Sequence, residues 1–425
     1  MERPATMRSG ETPKVVPPVP QTVEDTGLDA AFLADLTLRT VYADTDCTTK
    51  RVADRLCLPM SVTETLLREL YREKFIEIRG TSARHGHRYG MLERGWQRAH
   101  RLLEVSGYIG PAPVSLPAYT TMSELQERER PAVTPGAVEA ALGELILPDA
   151  IVRTLGLVAS SRRSVFISGP AGTGKTTIAR GIHAATTGNY WIPYAIEVEG
   201  QVIKMFDAHG HEPVSAPATP YDRRWIPIKR PLVIVGGEMT IETMDLIYSQ
   251  TVRYYEAPFQ MKANGGTLVI DDFGRQRVEP RDLLNRWIIP LESRVDYLTL
   301  HTGKKIQVPF EQLLIFATNL EPAALVDDAF LRRTGYRLRM EPVTPETYGR
   351  IFERYAERHG LRLEGPLLDR LLNWYQHEGR PLVPCEPRDL LERCIDICRF
   401  ENQPHTVTPG LLELAWTNYF GRPPS

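Results

Sequence analysis

One short segment, SVFISGPAGTGKTTIARGI, constrains the fold of this chain more than any other. It places an apolar run, Ser164 to Ser168, before the pattern G-x-x-x-x-G-K-T at Gly169 to Thr176, and a stretch with helical apolar periodicity follows. Glycines let a backbone curl until consecutive N–H groups face an anion, and a helix N-terminus adds the positive end of its dipole. The spacing therefore predicts a strand, a phosphate-binding loop and a helix, in that order.

The residue types in this loop indicate a nucleoside triphosphate with magnesium. Lys175 is placed to reach the β- and γ-phosphates, and the Thr176 hydroxyl is a suitable magnesium ligand. The predicted cofactors are therefore ATP and Mg²⁺. The residues predicted to bind ATP here are Gly169, Pro170, Ala171, Gly172, Thr173, Gly174, Lys175, Thr176 and Thr177.

A second apolar segment, GGTLVIDD, ends in two carboxylates. Thr267 to Ile270 is typical of a buried strand in a parallel sheet, and ligands bind at the carboxyl ends of such strands. Asp271 is therefore predicted to hold magnesium and Asp272 to polarise an attacking water. The letters Asp272-Phe273-Gly274 also spell the DFG of protein kinases, but the chain has no H-R-D catalytic segment, so we reject that interpretation.

Three further segments carry polar residues next to apolar elements. EQLLIFATNL predicts a third strand ending in Asn319, which can contact both the γ-phosphate and the attacking water if this strand lies between the other two. DDAFLRRTGYRLRM predicts a helix that ends in Arg332 and Arg333 and leads into a strand. CEPRDLLERCIDICRF places Arg388 at the start of a helix.

The order of these motifs resembles the AAA+ ATPase family over roughly residues 135–420. The resemblance implies an α/β P-loop NTPase, with a parallel sheet flanked by helices over residues 135–340 and a C-terminal helical lid over 341–425. LRRTGYRL and EPRDLLE look most like segments of replication initiators. ANGGTLVIDD is similar to a stretch of sigma-factor activators, whose GAFTGA loop is absent.

The same resemblance implies roles for single residues and an assembly. It implies a Walker A motif at Gly169 to Thr176, Walker B at Asp271 and Asp272, sensor 1 at Asn319, an arginine finger at Arg333 in preference to Arg332, and sensor 2 at Arg388. The implied catalytic residues are thus Lys175, Asp272, Asn319 and Arg333. In this family the finger normally comes from a neighbouring subunit, so the resemblance implies a homo-oligomeric ring, a hexamer by analogy.

The residues before the loop divide, by pattern, into three parts. Residues 1–26 are rich in proline and predict a flexible tail. Residues 27–110 predict three helices and a hairpin, which is the pattern of a winged helix-turn-helix domain, with Thr48 and Ser61 as helix N-caps. Residues 111–134 predict an extended linker.

The sequence of the predicted winged helix does not distinguish between DNA and protein as its binding partner. The third helix balances its charges, since it carries Arg68, Arg72 and Lys74 against Glu64, Glu69 and Glu73. The wing is basic, with Arg79, Arg84, His85, His87 and Arg88. Major-groove binding is one interpretation, and docking of a protein partner is at least as well supported.

Asp271 follows Lys175 by 96 positions, which is more than a compact core needs and predicts an insertion near residues 188–235. The segment around Glu199-Gly200 has the alternation of a hairpin. Aromatic and basic side chains follow in two loops: Arg223, Arg224, Lys229, Arg230, Tyr254, Tyr255 and Phe259. These side chains suit either a central pore that grips a polypeptide or single-stranded nucleic acid, or packing between subunits, and subunit packing is the favoured interpretation.

Composition narrows the class of protein. The net charge of −2 argues against a chain devoted to non-specific nucleic-acid binding. The five cysteines form no CxxC pair, no segment is apolar enough for a membrane span, and the first residues lack the apolar core of a secretion signal. We therefore expect a cytoplasmic protein without membrane contact.

Three functions stay open at this point. The first is a ring-forming ATPase that remodels a protein partner in the manner of a chaperone. The second is a DNA-associated ATPase or loader, and the third is a switch that binds ATP and turns it over slowly. Most AAA+ enzymes carry glutamate where this chain has Asp272, and the shorter side chain favours slow hydrolysis.

Overall fold

The computed structural model describes residues 15–44, 47–82, 84–321, 325 and 332–424. These residues form two compact units. The first contains the chain up to Ala132 together with Thr186–Val269 and Gln276–Leu314. The second contains Val133–Ala185, Ile270–Arg275 and the described residues from Ile315 onward.

The first unit begins with helices and a hairpin. The elements are α1 (Ala30–Tyr42), α2 (Thr49–Leu56), α3 (Met60–Arg72), β1 (Ile76–Ser82), β2 (Gly86–Met91), α4 (Glu93–Val105), β3 (Val114–Ser115) and α5 (Leu116–Arg128). Thr48 caps α2, as predicted, because its side chain accepts from the Arg51 N–H. The cap predicted at Ser61 is wrong: α3 starts at Met60 after Pro59, and Ser61 lies inside its first turn.

The next elements run from the second unit back into the first. They are α6 (Pro135–Leu142), α7 (Asp149–Ser161), β4 (Val165–Ser168), α8 (Lys175–Ala184), β5 (Asn189–Pro193), β6 (Ala195–Val198), β7 (Gln201–Lys204), β8 (Trp225–Lys229), β9 (Leu232–Val235), β10 (Ile247–Ser249), β11 (Tyr254–Glu256), α9 (Phe259–Lys262), β12 (Thr267–Ile270), α10 (Pro280–Ser293), β13 (Val295–Thr299) and β14 (Lys305–Pro309). Strands β6 and β7 form the predicted hairpin, with Val198 opposite Gln201.

The remaining elements are β15 (Leu313–Thr318), β16 (Tyr336–Arg339), α11 (Pro345–Arg358), β17 (Arg362–Leu363), α12 (Leu367–His377), α13 (Glu386–Phe400), β18 (Thr406–Val407) and α14 (Pro409–Phe420). Helices α11 to α14 enclose an apolar cluster that includes Phe352, Leu371, Leu391 and Trp416. The last part of the chain is therefore helical and has a core of its own.

A five-stranded sheet has the order β16-β4-β15-β12-β9. Strand β4 pairs in parallel with β15, Val165 lying opposite Ile315, and also in parallel with β16. Asn319 was predicted to contact both the γ-phosphate and the attacking water if its strand lies between the other two. Strand β15, which ends just before Asn319, does lie between β4 and β12. A second five-stranded sheet, with the order β10-β11-β7-β6-β3, belongs to the first unit.

The predicted conformation of two segments in the first unit, the linker and the tail, needs correction. The linker predicted at 111–134 contains helix α5, on which Tyr119 and Met122 are buried. The first 14 residues of the predicted tail lie outside the described residues, but Pro17 and Pro20 are buried, and the Pro17 carbonyl accepts from the Asp222 N–H. Apolar contacts outweigh the local proline-rich composition in both segments.

The predicted winged-helix segment and the predicted insertion share one hydrophobic core. Leu36, Leu56 and Leu67 of the N-terminal helices cluster with Ala195 and Val202 of the β6–β7 hairpin. A boundary at residue 110 therefore does not separate two cores. No helix among the described residues combines the length and the apolar content that crossing a bilayer requires.

Candidate nucleotide site

All side chains of the candidate site belong to the second unit. Strand β4 is completely buried, α8 begins at Lys175, and the predicted loop joins them. Gly169, Gly172 and Gly174 have φ angles of 143°, 78° and 83°, a region that glycine adopts without strain. The Thr173 hydroxyl donates to the Pro170 carbonyl at 2.8 Å and braces the curve. The predicted strand, loop and helix are thus confirmed as local structure.

Two neighbouring segments lie directly against this loop. A Cβ on Gly169 would lie 2.2 Å from the Met340 carbonyl oxygen, at the end of β16. A Cβ on Gly172 would lie 2.6 Å from the Cys385 Sγ and 2.7 Å from a Val383 methyl carbon, just before α13. The loop needs glycine at these positions both for its backbone conformation and for space.

Replacing Gly172 with alanine should destabilise the loop. The left-handed conformation and the overlap with Cys385 and Val383 together cost about 2–4 kcal/mol. We expect thermal unfolding of the variant to lose the upward shift that ATP gives the wild type. Gly136→Ala is the matched control, because Gly136 lies in α6 with no atom near its Cβ position. An ATP-induced shift of wild-type size in Gly172→Ala would contradict this expectation.

Lys175 lies buried at the start of α8 and points into the loop. Its Nζ donates to the carbonyl oxygens of Gly169 at 2.9 Å and Pro170 at 2.7 Å. Burial lowers the pKa of Lys175, while the nearby carboxylates of Asp272 and Asp271 act in the opposite direction. A buried ammonium group at the start of a helix, beside a glycine-rich loop, is suited to attract a polyphosphate.

Thr176 and Asp271 meet across the end of the sheet. The Thr176 hydroxyl donates to Asp271 Oδ2 at 2.8 Å, although the two residues are 95 positions apart. A hydroxyl and a carboxylate are the hard oxygen ligands that Mg²⁺ takes beside nucleotide phosphates. The residues predicted as metal ligands therefore lie together and have the right chemistry for this ion.

Asp272 has an unusual backbone and a specific partner. Its φ is 48°, in the left-handed region that costs most residues free energy but that aspartate and asparagine tolerate best. Its Oδ1 accepts from Asn319 Nδ2 at 2.9 Å, and its N–H donates to Asp271 Oδ1 at 3.0 Å. The side chain is exposed, so the carboxylate predicted to polarise water is accessible beside the predicted sensor.

Phe273, which the kinase comparison left without a role, anchors this turn. The side chain is fully buried, with ring centroids 5.7 Å from Phe166 and 5.3 Å from Phe316. Its N–H donates to the Ala317 carbonyl of β15 at 2.7 Å. Sequence reasoning missed this contact, and a single phenylalanine after two acids gave no signal for it.

The arginines predicted as finger and sensor 2 lie exposed on the surface, unlike the buried Lys175. Arg332 and Arg333 are exposed, and the chain just before them lies outside the described residues. Arg388 is about half exposed and donates from Nε and Nη2 to Asp389 Oδ1, at 3.0 and 2.7 Å. This ion pair raises the pKa of Arg388. The finger and sensor 2 roles stay predictions.

Four of the aromatic and basic residues singled out in the two loops pack within the first unit. Tyr255 is buried, and Tyr254 lies edge-on to Tyr108 with centroids 5.6 Å apart. Arg224 is buried in an ion pair with Asp222, and Arg230 lies over the Tyr190 ring. These four side chains pack within the chain, which differs from the subunit packing that the sequence favoured.

Together, the buried strand, the glycine loop, helix α8 and the adjoining acid define an α/β fold with the strand–loop–helix arrangement of a P-loop. A family model described as a domain of unknown function, DUF8689, matches residues 344–418, the segment of α11 to α14. No curated protein matches the chain.

Solved structures offer weak likenesses. NtrX from Brucella abortus is 17% identical with a TM-score of 0.40, and the match covers 76% of this chain and 62% of that one. NtrX in complex with ATP is also 17% identical, with a TM-score of 0.38 and shares of 82% and 63%. The RuvB Holliday junction branch migration motor of Thermotoga maritima is 14% identical, with a TM-score of 0.38 and shares of 65% and 71%. The chain thus spans less than two thirds of NtrX, and the assignment of its site rests on its own residues.

Proposed function

We propose that this chain is an ATPase of the AAA+ type that binds ATP with Mg²⁺ and uses hydrolysis to remodel a macromolecular partner, in the manner of a chaperone. One observation carries the proposal: the loop lysine, the Thr176–Asp271 pair and the Asp272–Asn319 pair converge at one edge of a single sheet. These five side chains come from three separate segments, so their convergence is a property of the fold.

The proposed division of labour follows from charge. Lys175 stabilises negative charge on the β- and γ-phosphates, and the loop N–H groups cradle them. Thr176 and Asp271 hold magnesium, which neutralises phosphate charge when it is bound. Asp272 orients and polarises the attacking water, and Asn319 keeps that carboxylate in place. Arg388, on the helical segment, is proposed to contact the nucleotide.

Arg333 is proposed to complete the site of a neighbouring subunit within a homo-oligomeric ring, a hexamer by analogy. A residue that acts in trans makes the rate per subunit rise cooperatively with protein concentration. We expect Arg333→Ala to bind ATP but to hydrolyse it about 1,000-fold more slowly or worse. Arg332→Ala is the matched control and should keep a rate close to that of the wild type.

Mixing variants gives the sharper form of this test. Lys175→Ala removes the phosphate lysine but keeps Arg333, so it can complete the site of an Arg333→Ala subunit. Neither variant should hydrolyse ATP alone, whereas the mixture should recover part of the activity. A mixture as inactive as its components would contradict a finger in trans. A flat, negligible wild-type rate at every concentration would instead favour the slow switch.

The first unit is proposed to recognise the partner, with the three helices and the β1–β2 hairpin acting as a winged helix. Thr48 forms an antiparallel β-bridge with Arg88 of β2. This bridge adds a third short extended segment beside the hairpin, as is typical of a winged helix. A cleft of about 570 Å³ lies between the α2–α3 turn and residues 217–223 of the insertion. Met60, the first residue of α3, lines this cleft, and Arg223 pairs with Asp54. Residues 217–223 therefore have to move before the N-terminus of α3 can enter a DNA groove.

DNA remains the second candidate partner because of one local cluster. The Lys50 N–H donates to the His85 carbonyl, which brings the start of α2 next to the basic wing turn. Lys50, Arg51, Arg84, His85 and Arg88 are all exposed there. Contacts to phosphates would make binding fall steeply with salt. ATP-dependent binding to duplex DNA with that salt dependence would favour a DNA-associated ATPase over a chaperone.

A further inference from the structure

Thr318, the last residue of β15, lies between the two parts of the candidate site and is completely buried. Its hydroxyl donates to the Phe273 carbonyl at 2.6 Å and accepts from the Leu320 N–H at 3.1 Å. The first bond holds the residue that follows Asp272, and the second holds the residue that follows Asn319. One hydroxyl therefore joins the two turns that carry these side chains.

The turn around Asp272 depends on such a restraint. Asp272 has a φ of 48°, and the cost of this conformation must be met by surrounding contacts. On one side, Asp271 Oδ2 accepts from Thr176. On the other, Phe273 is tied to β15 through its N–H, its carbonyl and its buried ring. Of the three ties between Phe273 and β15, the bond to the Phe273 carbonyl is the one that a side-chain hydroxyl provides, that of Thr318.

We propose that Thr318 is a positioning residue that fixes Asp272 and Asn319 relative to each other through its hydroxyl. This inference rests on the proposed ATPase function for its effect on rate, but its structural content does not. Thr318 touches neither nucleotide nor water in this assignment. It acts by limiting the movement of the two turns that carry Asp272 and Asn319, on either side of the hydrogen bond between these residues.

The test compares Thr318→Val with Thr318→Ser in the full-length chain. Valine keeps the shape of the side chain and removes the hydroxyl, while serine keeps the hydroxyl and removes a methyl group. We expect Thr318→Val to lower the hydrolysis rate by roughly 100-fold, the scale of a misplaced catalytic group, with ATP affinity within about twofold of the wild type. Thr318→Ser should stay within a few-fold of the wild-type rate.

Amide hydrogen exchange without nucleotide provides a second readout that a general loss of packing would not reproduce. The Phe273 and Leu320 amides should exchange faster in Thr318→Val than in Thr318→Ser, while amides in the core of α8 stay unchanged. Equal exchange of these amides in the two variants would overturn the proposal, and so would equal rates of hydrolysis in the two variants when the wild type is active. If the wild type hydrolyses no ATP, the proposed function fails, and the exchange comparison still decides whether Thr318 joins the two turns.

Discussion

Replacing Lys175 with alanine should slow ATP hydrolysis about 1,000-fold and also weaken ATP binding, so this substitution should affect both steps. Lys175 is buried at the start of α8, and its ammonium group donates to the carbonyl oxygens of Gly169 and Pro170 in the loop. Loss of one preorganised charge that faces developing negative charge lowers a rate by about 1,000-fold. Hydrolysis can be followed by phosphate release, and binding by the rise in unfolding temperature with ATP.

Lys305→Ala is the control for this experiment, because Lys305 is an exposed lysine on β14 in the first unit. The control should hydrolyse ATP at the wild-type rate. Without ATP, Lys175→Ala should unfold close to the wild-type temperature, which would separate a lost phosphate contact from a damaged fold. Wild-type hydrolysis by Lys175→Ala would remove the basis of the nucleotide site.

Asp272→Asn should separate binding from hydrolysis. Asparagine adopts the left-handed conformation as readily as aspartate and keeps an oxygen acceptor for Asn319. It cannot carry the negative charge that polarises water, so we expect a rate roughly 1,000-fold lower, within the range for loss of a general base. ATP should still raise the unfolding temperature by the wild-type amount. Hydrolysis within a few-fold of the wild type would exclude Asp272 as the residue that activates water.

The same variant offers a route to the partner. A subunit that holds ATP without hydrolysing it should stay engaged with whatever it remodels, so affinity purification of Asp272→Asn with ATP should enrich that molecule. Lys175→Ala, which binds ATP poorly, is the matched control. A protein recovered only with Asp272→Asn supports the remodelling function, whereas recovery of DNA supports the second candidate.

The structure also changes the meaning of an aspartate at this position. The sequence favoured slow turnover because Asp272 is shorter than the usual glutamate. The φ of 48° at Asp272 is a second reason for a short residue at this position, since aspartate adopts this conformation with less strain than glutamate does. Failure of Asp272→Glu to accelerate hydrolysis would therefore not by itself exclude a slow enzyme, because backbone strain could cancel the benefit of a longer reach.

The arrangement of the first unit affects how the partner can be studied. Ala195 and Val202 complete the core of the N-terminal helices, so deletion of residues 1–110 would expose apolar side chains of the insertion. Substitutions of exposed residues on the wing, such as Arg84, are a better way to test recognition. Loss of partner binding with unchanged ATP hydrolysis would assign recognition to the wing.

The sequence alone determined the parts of the nucleotide site that depend on short-range pattern. The loop from Gly169 to Thr176 needs glycines, a lysine and a hydroxyl at fixed spacing between a strand and a helix, and that requirement is visible in consecutive letters. The acids at the end of β12 and the asparagine at the end of β15 were predicted to lie near the loop by a general rule, because parallel strands place their carboxyl ends at one edge of a sheet.

Only the tertiary structure decided what depends on contacts between distant segments. The left-handed turn at Asp272, its anchor at Phe273 and the bridging hydroxyl of Thr318 arise where two strands meet, and no local pattern encodes that meeting. Proline-rich composition likewise predicted a tail and a linker where Pro17, Pro20 and α5 are ordered. Burial against segments more than 50 residues away outweighs local preference there, and a single sequence does not display which distant segments will meet.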